Sequence, residues 1–370
     1  MTEFSQPELR STPVTQTTAF GHQGRTPTPR SGRELRRRHP LRLFVGFISW
    51  CTLGAVVAVL LLRALDLSNP LLIAVVSLTS FAAIPLVVGV VGAFVSQGFA
   101  LRLSAGLVAS VFFFVTTPLN AIIGCGPADS HVAPSGVAGE DELTILSANV
   151  LFSAGGADEL ATMIVDSDAD VVVLQEMTPG VFSQLADNPL LAKYTHRDDT
   201  QSNSSFFTAT FSRLPVTPRD MPPYNGRITT TTFPLAEANP LPSPFTMTAV
   251  HLSAPMRPSI VPEWKEQLAS LAQLPTDEPS VLVGDFNATS DHRPFRTLVA
   301  SGWTNTHDEK GCGFDATFPS REFFPVPLLR IDHVLVSDHF EVVEVDVLAP
   351  TNGSDHLAVL ATVRLADTAT

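Results

Sequence analysis

The chain has 370 residues, enough for two domains, and only 16% of them are charged while 45% are hydrophobic. The formal net charge of −13 is unevenly distributed: segment 1–42 carries +5, segment 43–123 carries +1, and segment 124–370 carries −19. A segment this acidic is poorly suited to nonspecific binding of polyanions, which counts against a general nucleic-acid-binding role.

The first 42 residues are rich in Thr, Pro, Ser, Gln and Arg and show no apolar periodicity, which predicts a disordered tail. A cluster of arginines ends this tail: Arg33, Arg36, Arg37, Arg38 and Arg42. Such a cluster is typical of nuclear or nucleic-acid targeting, or of the flank of a membrane span. The apolar stretch that follows directly favours the membrane flank.

Three long apolar stretches lie within segment 43–123, at about 43–65, 71–95 and 99–123. Each is longer than the roughly 20 residues that an α-helix needs to cross a bilayer, so we predict three transmembrane helices. A cleaved signal peptide fits poorly, because the first stretch is long and two more follow it. Buried helices of a large soluble protein are the alternative interpretation.

The positively charged residues predict how these helices are oriented. The arginine-rich tail should be cytoplasmic, and the first turn, at 66–70, has no Lys or Arg and should lie outside. Arg102 follows the second turn, which should therefore lie inside. Three spans then place everything after about Gly124 outside the cell. The prediction is a multi-pass cell-membrane protein with a cytoplasmic N-terminus and an extracellular C-terminal domain.

Residues 124–141 are small, polar and rich in Pro and Gly, which predicts a linker between the membrane helices and a domain at 142–370. The linker contains Cys125, and the domain contains Cys312. An oxidising exterior permits a disulfide between them, and two free thiols are the alternative. Neither these two cysteines nor Cys51 has the spacing of a structural zinc site.

The domain at 142–370 alternates predicted strands and helices. The predicted strands lie at 142–152, 171–177, 207–214, 227–233, 245–252, 281–287, 330–337, 341–348 and 357–365. The predicted helices lie at 157–168, 261–274 and 292–301. Many short strands with few helices predict two packed sheets flanked by helices.

The strand at 281–287 contains the most informative local motif, VLVGDFNAT. Asp285 and Asn287 are two residues apart, so on an extended chain they project from the same face. Gly284 before them allows the backbone to turn or to approach a ligand closely. A carboxylate beside a carboxamide suits a hard divalent cation together with an oxyanion substrate. The motif alone is explained equally well by a strand that ends in a turn.

Other predicted strands also have, near one end, a residue that can bind a metal or transfer a proton: Asn149, Glu176, His251, Asp332, Asp355 and His356. Each one alone has an ordinary explanation as a cap, a surface acid or a core histidine. Together they form the set that hydrolysis of a phosphate ester requires. Glu176, with Asn149 beside it, offers hard ligands for a cation. His356 offers a base that the carboxylate of Asp332 can orient.

The motifs follow one another in a specific order: SANV, LQE, FSRLPV, HL, GDFN, RIDHVLVS and SDHLAV. In this order they resemble the endonuclease/exonuclease/phosphatase superfamily, whose members include deoxyribonuclease I-like nucleases, neutral sphingomyelinases and inositol phosphatases. The resemblance covers about 142–366 and rests chiefly on GDFN and on SDH with the upstream RID. It implies a four-layer α-β-β-α sandwich, here preceded by three transmembrane helices, with the site at one edge.

The resemblance also implies a role for each residue that matches a motif, and a divalent cofactor, Mg²⁺ or alternatively Mn²⁺. The implied roles are metal binding by Asn149 and Glu176, support of the metal or the histidine by Asp355, action near the leaving group by His251, binding of phosphate and water by Asp285 and Asn287, orientation of His356 by Asp332, and support of the site by Arg213 and Thr317. His356 is implied to be either the general base or a phosphate contact.

The leading functional hypothesis is a membrane-anchored, outward-facing, metal-dependent phosphoester hydrolase that acts on lipid phosphates or pyrophosphates. The anchor would keep the site close to lipid substrates and so raise their effective concentration. Three spans before a domain of this family also resemble the VanJ-type membrane hydrolases, which are associated with undecaprenyl pyrophosphate and glycopeptide resistance. The expected partners are membrane lipids and a phosphate-ester substrate, lipid-linked or nucleic acid, with no obligate protein partner.

Two alternative functions stay open. One is an extracellular nuclease that cleaves DNA phosphodiesters, which the acidic domain disfavours. The chain also has only two tyrosines, Tyr194 and Tyr224, to stack on single strands. The other is a non-catalytic binding domain on the same fold, which is disfavoured because every expected catalytic position is filled.

Overall fold

The structure, a computed structural model, describes residues 40–96, 98–116, 141–198, 205–219, 228–234, 239–310, 315–321, 323–349 and 353–366. Nearly all of the predicted tail and linker, together with Cys125 and Cys312, lie outside these residues, so the segment boundaries and the disulfide stay predictions. Cys51 lies in the first helix as an exposed free thiol.

Four α-helices form the N-terminal part of the described chain, which we name the membrane module. They are α1 (Pro40–Ala64), α2 (Pro70–Ser77), α3 (Ala83–Ser96) and α4 (Phe99–Thr116). Three helical stretches are long and apolar enough to cross a membrane: Pro40–Ala64, Thr79–Ser96 and Phe99–Thr116. The sequence therefore predicted the number of candidate spans correctly.

The second predicted span is not one continuous helix. The stretch expected at 71–95 divides into α2, a 3-10 turn at Thr79–Ala82, and α3. At the break, the Thr79 hydroxyl donates to the Val76 carbonyl, in the last turn of α2. The side chain of Asn69 caps the start of α2 by accepting from backbone N–H groups. The short helix α2 is thus a separately capped element.

The C-terminal domain contains two six-stranded sheets. The strands are β1 (Glu142–Asn149), β2 (Val171–Met177), β3 (His196–Asp198), β4 (Phe207–Ser212), β5 (Thr217–Arg219), β6 (Ile228–Phe233), β7 (Phe245–His251), β8 (Ser280–Asp285), β9 (Trp303–Asn305), β10 (Asp332–Ser337), β11 (Phe340–Leu348) and β12 (Ala358–Leu365). The first sheet has the order β11-β12-β1-β2-β4-β3, and the second has the order β5-β6-β7-β8-β10-β9. Each sheet contains one parallel central pair, β1 with β2 and β7 with β8.

Helices cover the outer face of each sheet. They are α5 (Gly156–Asp166), α6 (Pro179–Ala186), α7 (Val261–Leu271) and α8 (Arg293–Val299). A further short helix, α9 (Thr306–Lys310), contacts β11 of the first sheet and β10 of the second. The first sheet packs under α5 and α6, and the second packs under α7 and α8. The layers therefore run helix, sheet, sheet, helix, and the predicted four-layer α-β-β-α sandwich is confirmed.

The central strands are apolar on both faces because each face packs against a different layer. In β2, Val171 and Val173 lie in the core between the sheets, while Val172 and Leu174 pack against the outer helices. Leu282 of β8 packs in the same way under α7 and α8. A strand buried on both sides has a continuous apolar sequence, which is why these segments predicted buried strands correctly.

All of the strands and helices predicted in this domain are present, with ends that shift by a few residues. The sequence missed β3, β5 and β9, each of three residues, and the helices α6 and α9, of eight and five residues. Elements this short contain too few residues to produce a periodic pattern.

Gly284 allows the strand β8 to pass close to β7 just before the end of the sheet. Its φ is +141°, and a Cβ atom at this position would lie 1.9 Å from the carbonyl oxygen of Val250. Only a residue without a side chain fits such a close approach of two backbones. The glycine thereby permits the register in which His251 lies beside Asp285.

We expect Gly284→Ala to destabilise the protein by about 3 kcal/mol, because the new methyl group overlaps the neighbouring backbone and the φ angle disfavours a side chain. Gly180→Ala is the matched control, since no atom lies within 4 Å of the added Cβ. Thermal unfolding of the full-length protein in detergent measures the difference. Equal melting temperatures for the two variants would contradict this account of β8.

Candidate active site

The predicted site residues converge because the parallel strands of both sheets end at one edge of the sandwich. Asn149 ends β1, and Glu176 is the penultimate residue of β2. His251 ends β7, and Asp285 ends β8. Asp332 begins β10, directly opposite Asp285 in the antiparallel pair. The two sheets therefore supply five polar side chains to the same edge.

His356 reaches this cluster from the loop before β12. Its Nδ1 atom lies 2.9 Å from Asp332 Oδ2, and its Nε2 atom lies 3.9 Å from Asp285 Oδ2. Asp355 Oδ1 lies 4.0 Å from the same Nε2 atom. The ring of Phe318 packs against the imidazole, with the ring centroids 4.9 Å apart. The structure thus brings together the histidine and carboxylate that the sequence paired, and their catalytic role stays a prediction.

Asn149 joins the carboxylates of the two sheets. Its Nδ2 group donates to Glu176 Oε1 at 3.2 Å and to Asp285 Oδ2 at 3.1 Å, while its Oδ1 accepts from the Leu151 N–H. His251 Nε2 lies 3.5 Å from Glu176 Oε1 and 3.9 Å from Asp285 Oδ2. The Asn149 Nδ2 group therefore faces the carboxylates, while its Oδ1 atom is hydrogen-bonded to the backbone of Leu151. Ligation of a metal by this Oδ1 atom stays a prediction.

Asn287 is fixed against the end of β8 by its own hydrogen bonds. Its backbone N–H donates to Asp285 Oδ1 at 2.8 Å, and its Nδ2 donates to the Leu252 carbonyl at 3.0 Å. Asn287 has a φ of +48° and Glu176 has a φ of +58°. Such left-handed conformations are uncommon outside glycine and cluster at functional sites. Backbone strain at two predicted site residues therefore supports a functional role for this edge.

Burial and neighbouring charges set the protonation of the two central groups. Asp285 is only 1% exposed, and burial, followed by the charge of Asp332, raises the pKa of Asp285 to about 7. Burial alone would lower the pKa of His356, but the charge of Asp332 and the hydrogen bond to it raise the pKa of His356 to about 10. At neutral pH, the site therefore favours a protonated His356, and Asp285 binds a proton more readily than an exposed carboxylate does.

The donor set of the site fits a hard divalent cation. Asp285, Asp332 and His356 offer ligand atoms that lie within 4.8 Å of one another. Among the residues that the structure describes, the buried Oδ1 atoms of Asp332 and Asp355 accept no hydrogen bond. A protonated His356 has no lone pair to offer, so carboxylate oxygens are the atoms that suit Mg²⁺ here. Without a cation, this concentration of carboxylates would repel a phosphate ester.

Arg213 lies apart from this polar cluster, and its supporting role stays a prediction. It follows β4, whose C-terminal end pairs with Val171 at the start of β2, whereas Glu176 lies at the other end of β2. The Arg213 guanidinium donates to Asp168 at 2.5 Å and lies 3.7 Å from Asp170. Because β2 and β4 are antiparallel, Arg213 stabilises the opposite edge of the first sheet.

Two hydroxyl groups hold the site from its loops. The Thr317 hydroxyl accepts from the backbone N–H of Asp332 at 3.3 Å and so helps to fix the start of β10. Ser354 accepts from the backbone N–H of His356 at 3.1 Å and donates to the Asn149 carbonyl at 2.7 Å. Ser354 ties the histidine loop to β1, and sequence reasoning missed it although it begins the SDH motif.

A known protein family matches the C-terminal domain. The sequence profile described as the endonuclease/exonuclease/phosphatase family matches residues 146–356. No curated protein matches the chain. A solved endonuclease/exonuclease/phosphatase structure from Beutenbergia cavernae is 24% identical, with 61% of this chain and 72% of that chain covered and a TM-score of 0.46.

Two further solved structures resemble this chain at lower identity. D. rerio TDP2 complexed with a single-strand DNA product is 18% identical to this chain. The match covers 60% of this chain and 99% of the TDP2 chain, with a TM-score of 0.47. A mannosyl-6-phosphatase from Bacteroides thetaiotaomicron is 18% identical over 60% of this chain and 99% of its own, with a TM-score of 0.43.

The matched segment extends over more than half of the chain and includes every residue of the polar cluster, from Asn149 to His356. The chain therefore belongs to the endonuclease/exonuclease/phosphatase family.

Proposed function

We propose that this family member is a membrane-anchored, outward-facing, Mg²⁺-dependent hydrolase that cleaves lipid phosphates or pyrophosphates at the bilayer surface. Family membership gives the class of reaction, the hydrolysis of a phosphoester bond. The observation that supports the membrane placement and the lipid substrate is the contact between the membrane module and the loop that follows Asn287.

The loop after Asn287 binds the end of α1. Arg63 Nε donates to Asp291 Oδ1 at 2.5 Å, and both side chains are mostly buried. Arg296 of α8 donates to the Arg63 carbonyl at 2.7 Å and also to the Asp291 carbonyl. Asp291 follows Asn287 by four residues, a distance of at most about 14 Å along the chain. The catalytic edge therefore lies close to the end of the first membrane helix.

The helix α2 docks beside this ion pair. His292 Nδ1 accepts from the backbone N–H of Thr289, and its Nε2 lies 3.1 Å from the Ile73 carbonyl and 3.1 Å from Ser77 Oγ. Burial lowers the pKa of His292 to about 4, so the ring is neutral and Nε2 carries the proton. Ile73 is itself buried in the core beneath α7 and α8. This packing makes α2 part of the catalytic domain's structure.

The contacts also support the outward orientation. Lys265 of α7 lies 2.6 Å from Asp66 Oδ1 and donates to Ser68 Oγ at 3.1 Å, which joins the α1–α2 turn to the catalytic domain. This turn has no Lys or Arg, and the positive-inside rule assigns such turns to the outside. A domain attached to an outer turn lies outside as well. Three spans after a cytoplasmic N-terminus place the C-terminal domain on the same side.

A catalytic edge next to the bilayer favours a lipid substrate. A site held at the surface meets lipid phosphates at a high effective concentration, whereas a soluble substrate gains nothing from the anchor. The acidic charge of −19 on segment 124–370 disfavours long polyanions such as DNA. The resemblance in architecture to VanJ-type hydrolases is consistent with a lipid pyrophosphate as the substrate class.

The charge states favour a division of roles among the site residues. Asp285, with a pKa of about 7, is suited to accept a proton from the attacking water at neutral pH. His356, protonated and held by Asp332, is suited to bind a phosphoryl oxygen and not to act as the base. Asn287 lies beside Asp285 to orient the water and phosphate, and His251 is placed to act near the leaving group.

Among the carboxylates at this edge, we assign Glu176 and Asp355, with Asn149 beside them, to a bound Mg²⁺, because the proposed roles of Asp285 and His356 are with the water and the phosphoryl oxygen and Asp332 holds His356. The cation would neutralise the charge of the phosphoryl oxygens during attack. The protein's own contribution is to keep these carboxylates at one edge, through the strand end at Glu176 and the loop that Ser354 ties to β1.

We expect Asp285→Ala and His356→Gln each to lower phosphate release about 10²- to 10⁴-fold, because each removes a group that contacts the reacting atoms. The assay uses full-length protein in vesicles that contain a lipid diphosphate, and EDTA should abolish activity until Mg²⁺ is restored. Arg364→Gln, which breaks an exposed ion pair with Glu341, is the control and should retain wild-type activity. Full activity of Asp285→Ala would refute its role.

Asp332→Asn tests the charge state of His356 separately. Loss of the neighbouring negative charge should lower the pKa of His356, so the imidazole loses its proton at a lower pH. The alkaline limb of the pH–rate profile should therefore move to lower pH. An unchanged alkaline limb, with activity merely reduced at every pH, would argue against a protonated His356 in catalysis.

Cysteine labelling of intact cells tests the topology. In a background without the native cysteines, Ser68→Cys and Lys193→Cys should react with a membrane-impermeant maleimide, because both exposed positions lie on the proposed outer side. Gly98→Cys, in the proposed inner turn, should react only after the membrane is permeabilised. Labelling of Gly98→Cys alone in intact cells would reverse the proposed orientation.

A further inference from the structure

A pocket of about 370 Å³ lies between the α1–α2 turn and the helices α7 and α8. Its volume is within the range of small-ligand sites. Asp66, Lys265 and Arg293 form a charged part of its wall. Leu268, Ala272 and Pro294 form an apolar part. None of these residues belongs to the catalytic cluster, so the pocket is a separate feature of the molecule.

The charged wall of the pocket has unused positive charge. Lys265 is paired with Asp66, with Nζ and Oδ1 2.6 Å apart. Arg293 is exposed at the first position of α8 and forms no salt bridge within the part of the chain that the structure describes. One of the two cations that line the pocket is therefore available to an external anion.

The cations behind the pocket are also in excess. Arg63 pairs with the carboxylate of Asp291, whereas Arg296 donates to the backbone carbonyls of Asp291 and Arg63. Burial, followed by the charge of Arg63, lowers the pKa of Arg296 to about 10, and Arg293 adds to this effect despite the opposing charge of Asp291. A buried cation that lies beside other cations is stabilised by an added anion. This excess lies on a domain that is otherwise acidic.

The pocket opens at the level of the bilayer surface in the proposed membrane placement, on which this inference depends. Asp66 follows the end of α1, at Ala64, by two residues. The lining therefore meets the headgroup region, where basic side chains attract anionic lipids. A ligand that covers both walls needs a negative headgroup joined to an apolar body, and a free phosphate would leave Leu268 and Ala272 uncovered.

We propose that this pocket binds an anionic phospholipid, whose phosphate lies between Lys265 and Arg293 and whose glycerol and first methylene groups cover Leu268, Ala272 and Pro294. The bound lipid is a ligand and not a substrate, because the pocket contains no group of the catalytic cluster. It would hold the α7–α8 layer, and with it the catalytic edge, against the membrane.

Native mass spectrometry of the full-length protein in detergent tests the proposal, with phosphatidylglycerol and phosphatidylcholine as the added lipids. EDTA is present throughout, so hydrolysis does not change the lipids. The wild-type protein should bind phosphatidylglycerol about tenfold more tightly than phosphatidylcholine. Lys265→Gln/Arg293→Gln should weaken phosphatidylglycerol binding roughly 10- to 30-fold and leave phosphatidylcholine binding unchanged.

The matched control is Lys193→Gln/Arg364→Gln, which removes the same charge from exposed positions elsewhere in the domain and should keep wild-type affinity. If the double variant fails to fold, Arg293→Gln alone provides the test, because it changes only an exposed side chain. This single variant should weaken phosphatidylglycerol binding about threefold or more. Equal affinity of the wild-type protein for the two lipids, or equal losses in both double variants, would overturn the proposal.

Inorganic phosphate and glycerol 3-phosphate form a third arm of the experiment. Neither should displace phosphatidylglycerol at millimolar concentration, and displacement would show a site for soluble anions and overturn the lipid assignment. Binding is measured without catalysis, so an inactive protein that still selects phosphatidylglycerol would refute the proposed hydrolase and leave the lipid site standing. Recovery of the protein from cells without detergent would instead refute the membrane placement.

Discussion

The buried carboxylate of Asp285 is the group around which the site is arranged. It lies at the end of β8 opposite Asp332, beside His251, and it accepts hydrogen bonds from Asn149 of the other sheet and from Asn287. Much of the interface between the two sheets is an apolar core, and at this edge polar side chains of both sheets come into contact. Burying such a charge is costly, and the cost appears as a pKa raised to about 7, which suits a base at neutral pH.

The same strand end connects the chemistry to the membrane module. The chain that leaves Asn287 reaches Asp291 and His292 within five residues, and these two contact Arg63 near the end of α1 and Ile73 in α2. The distance between the site and the proposed bilayer surface is thereby set by a short, buried segment and not by the linker before β1. In the proposed membrane placement, docking of this kind would position the catalytic edge as well as retain the protein at the surface.

The sequence was sufficient for the parts of the fold that repeat a pattern. The central strands were predictable because both of their faces are apolar. The candidate site residues lie together because the parallel strands end at one edge, and their roles stay predictions. Hydropathy could not separate α2 from a membrane span, because Ile73 is buried against protein and not lipid. Motif order could not show that Arg213 lies at the far end of an antiparallel strand. Whether His356 is suited to act as a base or to contact phosphate depends on its pKa, which burial and the neighbouring Asp332 change. Only the folded structure shows that these two residues are in contact.

The most direct test of the account offers two substrates at once to full-length protein in sealed vesicles: a lipid pyrophosphate in the outer leaflet and supercoiled plasmid DNA in solution. With Mg²⁺ present, the account predicts release of inorganic phosphate from the lipid while the plasmid stays supercoiled, and no release in EDTA. Nicking of the plasmid without release of phosphate from the lipid would contradict it.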